Sequence, residues 1–450
     1  MAGCVVVGGG IAGLFSAILA SRYFDKVTLI ESAEKCGGLL CSWQDEDGNY
    51  FDLGTHILSE TGDPNIDDIL FRDVHKNKQD WHHFEVMKVS SSFNGQHYNT
   101  GQFVPLNFLA EQDYDKALVQ LLSAKGLPMD EADNLEEFAL NNYGAVITDK
   151  IFRPIMHKLQ SAELKDLHPS VHYIFGLSRF IPGSAELARE LKQSPKYDKK
   201  LAFASYYEGV SDIPKYYPKR GGVELWVDYL VEQAIELGVD IYTSESVTGL
   251  RYENNSITEV MTQSGKKLQC DHVIWTIPPV FALKLLDLPL ANVSVRFCPT
   301  SLHHFVLDRP FLDKNFYTNV YDTESAAFRV TFYPNINHES TESSNTCTVE
   351  VIGDFNLEEQ ALNDRIISEL KSLGYIEPLA QVLSVSTTKL AMGFPQLSTA
   401  FVNEKVRQVE ALESNVENIT LLGKASKKEF FVYSILQEAF GQLTGKFGGH

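Results

Sequence analysis

The sequence predicts an α/β fold in which a glycine-rich βαβ unit is joined to a mixed helical and antiparallel-sheet region. Three observations carry that prediction. A β-branched run, Cys4-Val5-Val6-Val7, ends in Gly8-Gly9-Gly10-Ile11-Ala12-Gly13 and continues as an apolar helical pattern to Ala20. A second β-rich run, Val27-Thr28-Leu29-Ile30, closes on Glu31. Further on, a long helical stretch gives way to β-rich segments from Val295 to Val351.

In the glycine turn, Gly8 makes the tight bend and Gly10 lets the backbone approach a pyrophosphate. Gly13 lets helix and strand pack closely, and the helix that Ile11 and Ala12 open presents its N-terminus to the phosphate charge. Glu31 follows Gly13 by 18 residues. That is close to the roughly 20-residue offset of a ribose-binding carboxylate.

At 450 residues the chain has room for two or three domains. Its 39 basic and 59 acidic residues leave a net charge of −20. That balance argues against nucleic acid and anionic membrane surfaces as partners. The apolar run from Cys4 to Ala20 is broken by four glycines and lacks a basic leader, so neither a secretory signal nor an integral membrane segment is expected. Six scattered cysteines suit a reducing, cytoplasmic setting. No metal site is expected: His82-His83 and His303-His304 are adjacent pairs, which point apart on any regular element.

Past Glu31, the pair Gly37-Gly38 lets backbone amides face a cofactor without intervening side chains. Tyr50-Phe51-Asp52 reads as a short buried strand, followed by Gly54-Thr55-His56. From 59 to 214, leucines at helical spacing (Leu118, Leu121, Leu122; Leu135, Phe138, Leu140) predict a mostly helical insertion. Val223, Trp226, Val227, Leu230, Val231, Ala234 and Ile235 form a helix that Gly238 ends. Ser244 to Gln269 alternates like an antiparallel ribbon, and Val273 to Ile277 is a strand stopped by prolines. Asn337 to Asn345 reads as a polar loop and Leu357 to Leu373 as a helix. Asn418 to Gly423 is a strand ending in glycine, with a helical tail from about Val432.

Taken together, these segments resemble the FAD-dependent amine oxidase and protoporphyrinogen oxidase superfamily, which includes UDP-galactopyranose mutases. The resemblance implies a discontinuous Rossmann-type FAD-binding domain from residues 1–58, 215–285 and 405–450. Residues 59–214 and 286–404 would form the helical and antiparallel-sheet parts of a substrate domain. It also implies non-covalent FAD, with Gly8, Gly10 and Gly13 at the pyrophosphate and Glu31, with Ser32, at the ribose. Gly38, Leu39, Leu40, Gly54 and Thr55 would lie on the flavin side, Val247 near the adenine, and Gly423, Lys424 and Tyr433 at the C-terminal side of the cofactor.

Departures from the amine oxidase pattern narrow the expectation. Leu39 stands where those enzymes carry arginine, and Lys424 where they carry an acid. Lys424 with Tyr433 looks more like the mutases, as does Phe328-Arg329-Val330-Thr331-Phe332-Tyr333. His56 matches the start of a mutase motif whose second half is missing, since Ile57-Leu58-Ser59 follows. His56 and Arg329 are the candidate catalytic residues. Against that stands a structural role for each, with His56 bonded to a core carbonyl and Arg329 paired with Asp308 or Glu350. The expected function is an FAD-dependent oxidoreductase of a small organic metabolite, nucleotide-linked or sugar-like. The alternatives are a mutase-like isomerase that uses reduced flavin without net redox, and a non-catalytic FAD-binding protein.

Overall fold

A computed structural model describes residues 3–290, 295–337, 345–353, 355–427 and 431–448. Strand β1 (Gly3–Val7), helix α1 (Ile11–Ala20) and strand β2 (Lys26–Ile30) form the expected βαβ unit. The five-stranded sheet built on it has the order Asp240–Tyr242, β2, β1, His272–Trp275, Ile419–Leu421, and every pairing is parallel. Strands from stretches more than 200 residues apart thus lie side by side.

Val5, Val6 and Val7 are all buried, as a parallel strand covered on both faces requires. On one face Leu14, Phe15 and Ile18 of α1 pack with Trp226 and Leu230 of Glu224–Glu236 and Leu436 and Leu443 of Val432–Phe447. On the other, Val5, Val7, Ile30 and Trp275 meet the antiparallel ribbon through Leu250, Ile257 and Val260. Leu283 and Leu412, from helices Pro279–Leu285 and Thr399–Asn415, complete that layer.

A seven-stranded sheet lies beyond. Its order is Val382–Pro395, Phe297–Leu307, Asn345–Ile352, Ala327–Phe332, Tyr317–Val320, Val89–Phe93, Gln96–Tyr98. Only the pair 317–320 with 89–93 is parallel. Because side chains alternate along a strand, the two faces differ in character. One carries Phe305, Val330, Phe332, Val349 and Val351 against Ile366 and Leu370 of helix Glu359–Ser372. The other carries His304, Arg329, Thr331, Thr348 and Glu350.

Residues 59–214 hold the expected helices Glu111–Ser123 and Leu135–Tyr143, together with Ala185–Lys192. They also supply strands Trp81–Phe84, Val89–Phe93 and Gln96–Tyr98, which the serine run Ser90-Ser91-Ser92 hid from a propensity reading. Strand Val382–Pro395 and helix Thr399–Asn415 were likewise not anticipated. The first is exposed on both sides at its start, so it shows no apolar alternation there. Most of the predicted Asn337–Asn345 loop lies outside the described residues. Among the described residues, no helix is long and apolar enough to cross a membrane.

Lys158, on helix Arg153–Gln160, ties this region to the sheet. Its Nζ donates to the carbonyls of Asp322 and Ala327, both at 2.8 Å. Burial lowers its pKa to about 8. Between that value and the ordinary lysine pKa the unfolded chain binds more protons, so stability rises with pH across this window. Measured against Lys158→Met by denaturant unfolding, the wild type should gain about 2–3 kcal/mol between pH 8 and pH 10.5. A difference independent of pH would show that the amine is not held in this way. Gly13→Ala should cost about 2–4 kcal/mol in the same assay, because a Cβ there would stand 1.8 Å from the Gly8 carbonyl oxygen.

Candidate functional site

The glycine turn is shaped from below. Gly8 has φ +102°, and a Cβ on it would lie 2.5 Å from Thr276 Oγ1. That hydroxyl donates to the Val7 carbonyl at 2.8 Å, fixing the end of β1 against the neighbouring strand. Gly10 caps α1 with no side-chain cap hydrogen bond, and the first turn, which holds Ile11, Ala12 and Gly13, has no acidic residue. A Cβ on Gly10 would meet nothing within 4 Å. Open space therefore lies in front of a bare helix N-terminus, where partial positive charge gathers.

The second glycine pair closes on this turn. Gly37 N–H donates to the Gly9 carbonyl at 2.8 Å, and Gly38, at φ +65°, has its Cβ position 3.8 Å from the Gly10 Cα. Leu39 is half exposed beside it, whereas Leu40 is buried in the core under α1. Buried Cys36 sits below Gly9, and burial pushes its thiol up to about 12.

Glu31 ends β2 with its carboxylate turned to the turn. Oε2 accepts from Gly9 N–H at 2.6 Å, and Oε1 accepts from Ala33 N–H at 2.7 Å and Ser32 Oγ at 3.1 Å. The Glu31 carbonyl accepts from Glu245 N–H at 2.9 Å, which brings the strand opening at Val247 to the same edge. At the other end, Gly423 has φ +60°, and its Cβ position is 3.1 Å from both Ala12 Cβ and the Thr276 carbonyl. Lys424 follows on the surface. Tyr433, exposed in the first turn of the last helix, accepts from Gln437 Nε2 at 2.7 Å.

Asp52 joins these parts to the seven-stranded sheet. Its buried carboxylate accepts from Ser42 Oγ (2.7 Å), Tyr217 Oη (2.8 Å) and Val223 N–H (2.9 Å). Gly222 must be glycine, since its Cβ position lies 2.6 Å from that carboxylate and φ is +63°. Burial raises the Asp52 pKa, and its neighbour Tyr217 is held well above the ordinary phenol value by burial and by that carboxylate. The backbone N–H of Asp52 donates to Tyr333 Oη at 2.9 Å, and Tyr333 in turn bonds Thr348.

On the polar face of the sheet, Thr55 bonds Thr331 and donates to Glu350 Oε1 at 3.1 Å. His56 Nε2 contacts the Leu53 carbonyl at 3.2 Å, within its own loop. Arg329 approaches Glu350 at 3.7 Å and lies over the rings of Phe328 (4.9 Å) and Tyr317 (5.8 Å). Among the described residues its guanidinium makes no hydrogen bond, although only 24% of the side chain is exposed, and its Nε is buried without a partner. Directly across the strand pair stands Asn319, whose Oδ1 is buried and also unpartnered. Asn319, Tyr317 and Thr276 escaped the sequence reading, which had Glu350 only as one of two carboxylates that Arg329 could pair with. No motif marks them, and only strand register brings them to the site.

The residues around the turn fit a dinucleotide. They supply open space over Gly10, free helix amides and a carboxylate with lone pairs to spare. Among the described residues, no cluster of His, Cys, Asp and Glu could hold a metal ion.

Residues 11–432 match the family described as flavin containing amine oxidoreductase. The chain is 25% identical over 325 residues to 4,4'-diapolycopene oxygenase of Methylomonas sp, covering 68% of this chain and 63% of that protein. It is 26% identical over 288 residues to 4,4'-diaponeurosporene oxygenase of Staphylococcus haemolyticus, covering 60% of this chain and 54% of that one. The chain thus spans less than two thirds of the length of these relatives. Its fold is similar to that of a reduced UDP-galactopyranose mutase, with a TM-score of 0.76 at 17% identity over 100% of this chain and 94% of that one. A redesigned putrescine oxidase follows at 0.64 and 14%, covering 100% and 99%. With the family pattern running from the first turn of α1 into the last helix, the chain belongs to the flavin containing amine oxidoreductases, with FAD as its cofactor.

Proposed function

We propose that this chain is an FAD-dependent oxidoreductase of a small, polar, anionic metabolite, sugar-like or nucleotide-linked. The observation that carries the reading is Arg329. A guanidinium has five N–H donors, and covering one without hydrogen bonds is costly unless a ligand supplies the acceptors. A phosphate or carboxylate would do so in bidentate fashion. An apolar substrate would leave the Arg329 guanidinium unsatisfied.

When bound, FAD supplies the redox chemistry, and the protein binds, orients and excludes water. In this reading the FAD domain is assembled from 1–58, 215–285 and 405–450, around the parallel sheet. Gly8, Gly10, Ile11, Ala12 and Gly13 hold the pyrophosphate without covalent attachment, and Glu31 and Ser32 hold the ribose. Val247 lies towards the adenine. Gly38, Leu39, Gly54, Thr55, Gly423, Lys424 and Tyr433 border the flavin. Leu40 supports from the core. His56 holds its loop in shape, and Glu350 holds Arg329 facing the cleft.

The same arginine favours a second reading, a UDP-galactopyranose mutase-like isomerase working from reduced flavin without net redox. Lys424 and Tyr433 support it as well. Anaerobic spectra separate the two. An oxidoreductase substrate bleaches the oxidised flavin, whereas a mutase substrate is isomerised only after the flavin has been pre-reduced.

Two outcomes follow for the cofactor and the substrate. Gly10→Ala should keep the wild-type melting temperature yet lose FAD on dialysis, since its methyl enters only the open space. Glu31→Ala should weaken FAD retention by about 10- to 100-fold. Retention of full FAD content by both would place the cofactor elsewhere. Arg329→Met should keep FAD and fold but raise the substrate concentration needed for flavin reduction by about 100-fold. Reduction at the wild-type rate and concentration would remove Arg329 from the site.

A further inference from the structure

Strand Val382–Pro395 forms one margin of the seven-stranded sheet, and among the described residues nothing pairs with its outer edge. At the opposite margin, Gln96–Tyr98 has three residues, the kind of short edge that limits further pairing. The margin at 382–395 has 14 residues, or about 46 Å of extended backbone. Such an edge is a template for another strand unless it is blocked.

Its first half carries no block. From Gln381 to Val385 five consecutive residues are exposed. Leu379 is 72% exposed and Leu383 65%, with Val382, Val385 and Leu312 also exposed. The turn bearing Leu312 is tied to this segment, since Asp308 N–H donates to the Gln381 carbonyl at 3.1 Å and Leu312 N–H to that of Tyr375 at 2.9 Å. Successive side chains point to opposite faces of the strand, so exposed apolar side chains flank this edge on both sides. From Pro378 to Thr388 there is no ionisable side chain, in a chain in which 22% of residues are charged. Lys389, paired with Glu359 at 3.5 Å, marks the end of the strip.

We propose that this edge pairs antiparallel with the same edge of a second copy, giving a two-fold dimer with one continuous sheet. A two-fold axis across the strand sets identical rows of N–H and C=O groups against each other, so each copy supplies what the other lacks. Charge selects the same place. Two chains of net charge −20 repel over most of their surfaces, and the uncharged strip is where they can meet. A lipid surface would accept the leucines but leave the backbone edge unsatisfied in an apolar medium, at several kcal/mol per group. A second strand satisfies both.

The test is light scattering on the full FAD-loaded chain at about 20 µM, where an interface of standard size is populated. The wild type should be a dimer. The double variant Leu379→Glu with Leu383→Glu should be a monomer with unchanged flavin content, its association weakened at least about 100-fold by like charges across the axis. A monomeric wild type overturns the proposal, as does a dimer that persists in the folded variant. Recovery of monomer on phosphatidylcholine vesicles, lost in the variant, would assign the strip to lipid and overturn it too. Should the variant not fold, amide exchange of the wild type decides. Protection of residues 383–388 that falls on dilution supports the dimer, and protection independent of concentration overturns it.

Discussion

The fold turns on the close approach of backbone to backbone between the first turn of α1 and the end of β1. The position a Cβ would take on Gly13 lies 1.8 Å from the Gly8 carbonyl oxygen, so strand and helix meet with no side chain between them. Much else depends on this approach. It aims the helix amides into the space in front of Gly10 and sets Thr276 and Gly423 under the turn. Parallel strands from stretches far apart in the chain converge there because only backbone and small side chains can fit. The bare helix terminus is the physical reason an anionic cofactor suits the place.

Asp52 performs the corresponding task between the two sheets. A fully buried carboxylate is unfavourable unless its lone pairs are used, and here Ser42, Tyr217 and Val223 use them. The hairpin after the second glycine pair, the strand before Gly222 and the helix that follows are thereby held in one arrangement. Tyr333 extends the network into the seven-stranded sheet. Residues around the second glycine pair and residues on the sheet thus keep a fixed relation through hydrogen bonds, more directional than apolar packing.

The seven-stranded sheet has one apolar face and one polar face. Its apolar face is closed by helix Glu359–Ser372, and its other face carries Arg329, Glu350, Thr331 and Asn319 towards the Gly54-Thr55-His56 loop. Among the described residues Arg329 makes no hydrogen bond, which lowers stability, and folds keep such features mainly where a ligand uses them. Lys158 makes a contrast: equally deep in the protein, it has carbonyl partners, and its role is in holding the helical region to the sheet.

The sequence by itself determined the βαβ unit, the glycine turn with Glu31, the second glycine pair, the ribbon from Ser244 to Gln269 and most strands between 295 and 352. These are local matters, written as periodicity, β-branched runs and glycines that the backbone needs. It also marked Arg329 and His56, offering Asp308 or Glu350 as a partner for the arginine and a core carbonyl for the histidine; the structure has Glu350 for the first and the Leu53 carbonyl of its own loop for the second. Only the tertiary structure decided that Glu350, Asn319 and Tyr317 share a face with Arg329, that Thr276 supports the turn, and that Leu40 points into the core. It alone revealed strands 89–93 and 382–395. One is built from small polar residues, and the other lies at a margin where one side has no neighbour. Register between distant strands and the burial of a given face are set by what packs against them, and no stretch of sequence carries that by itself.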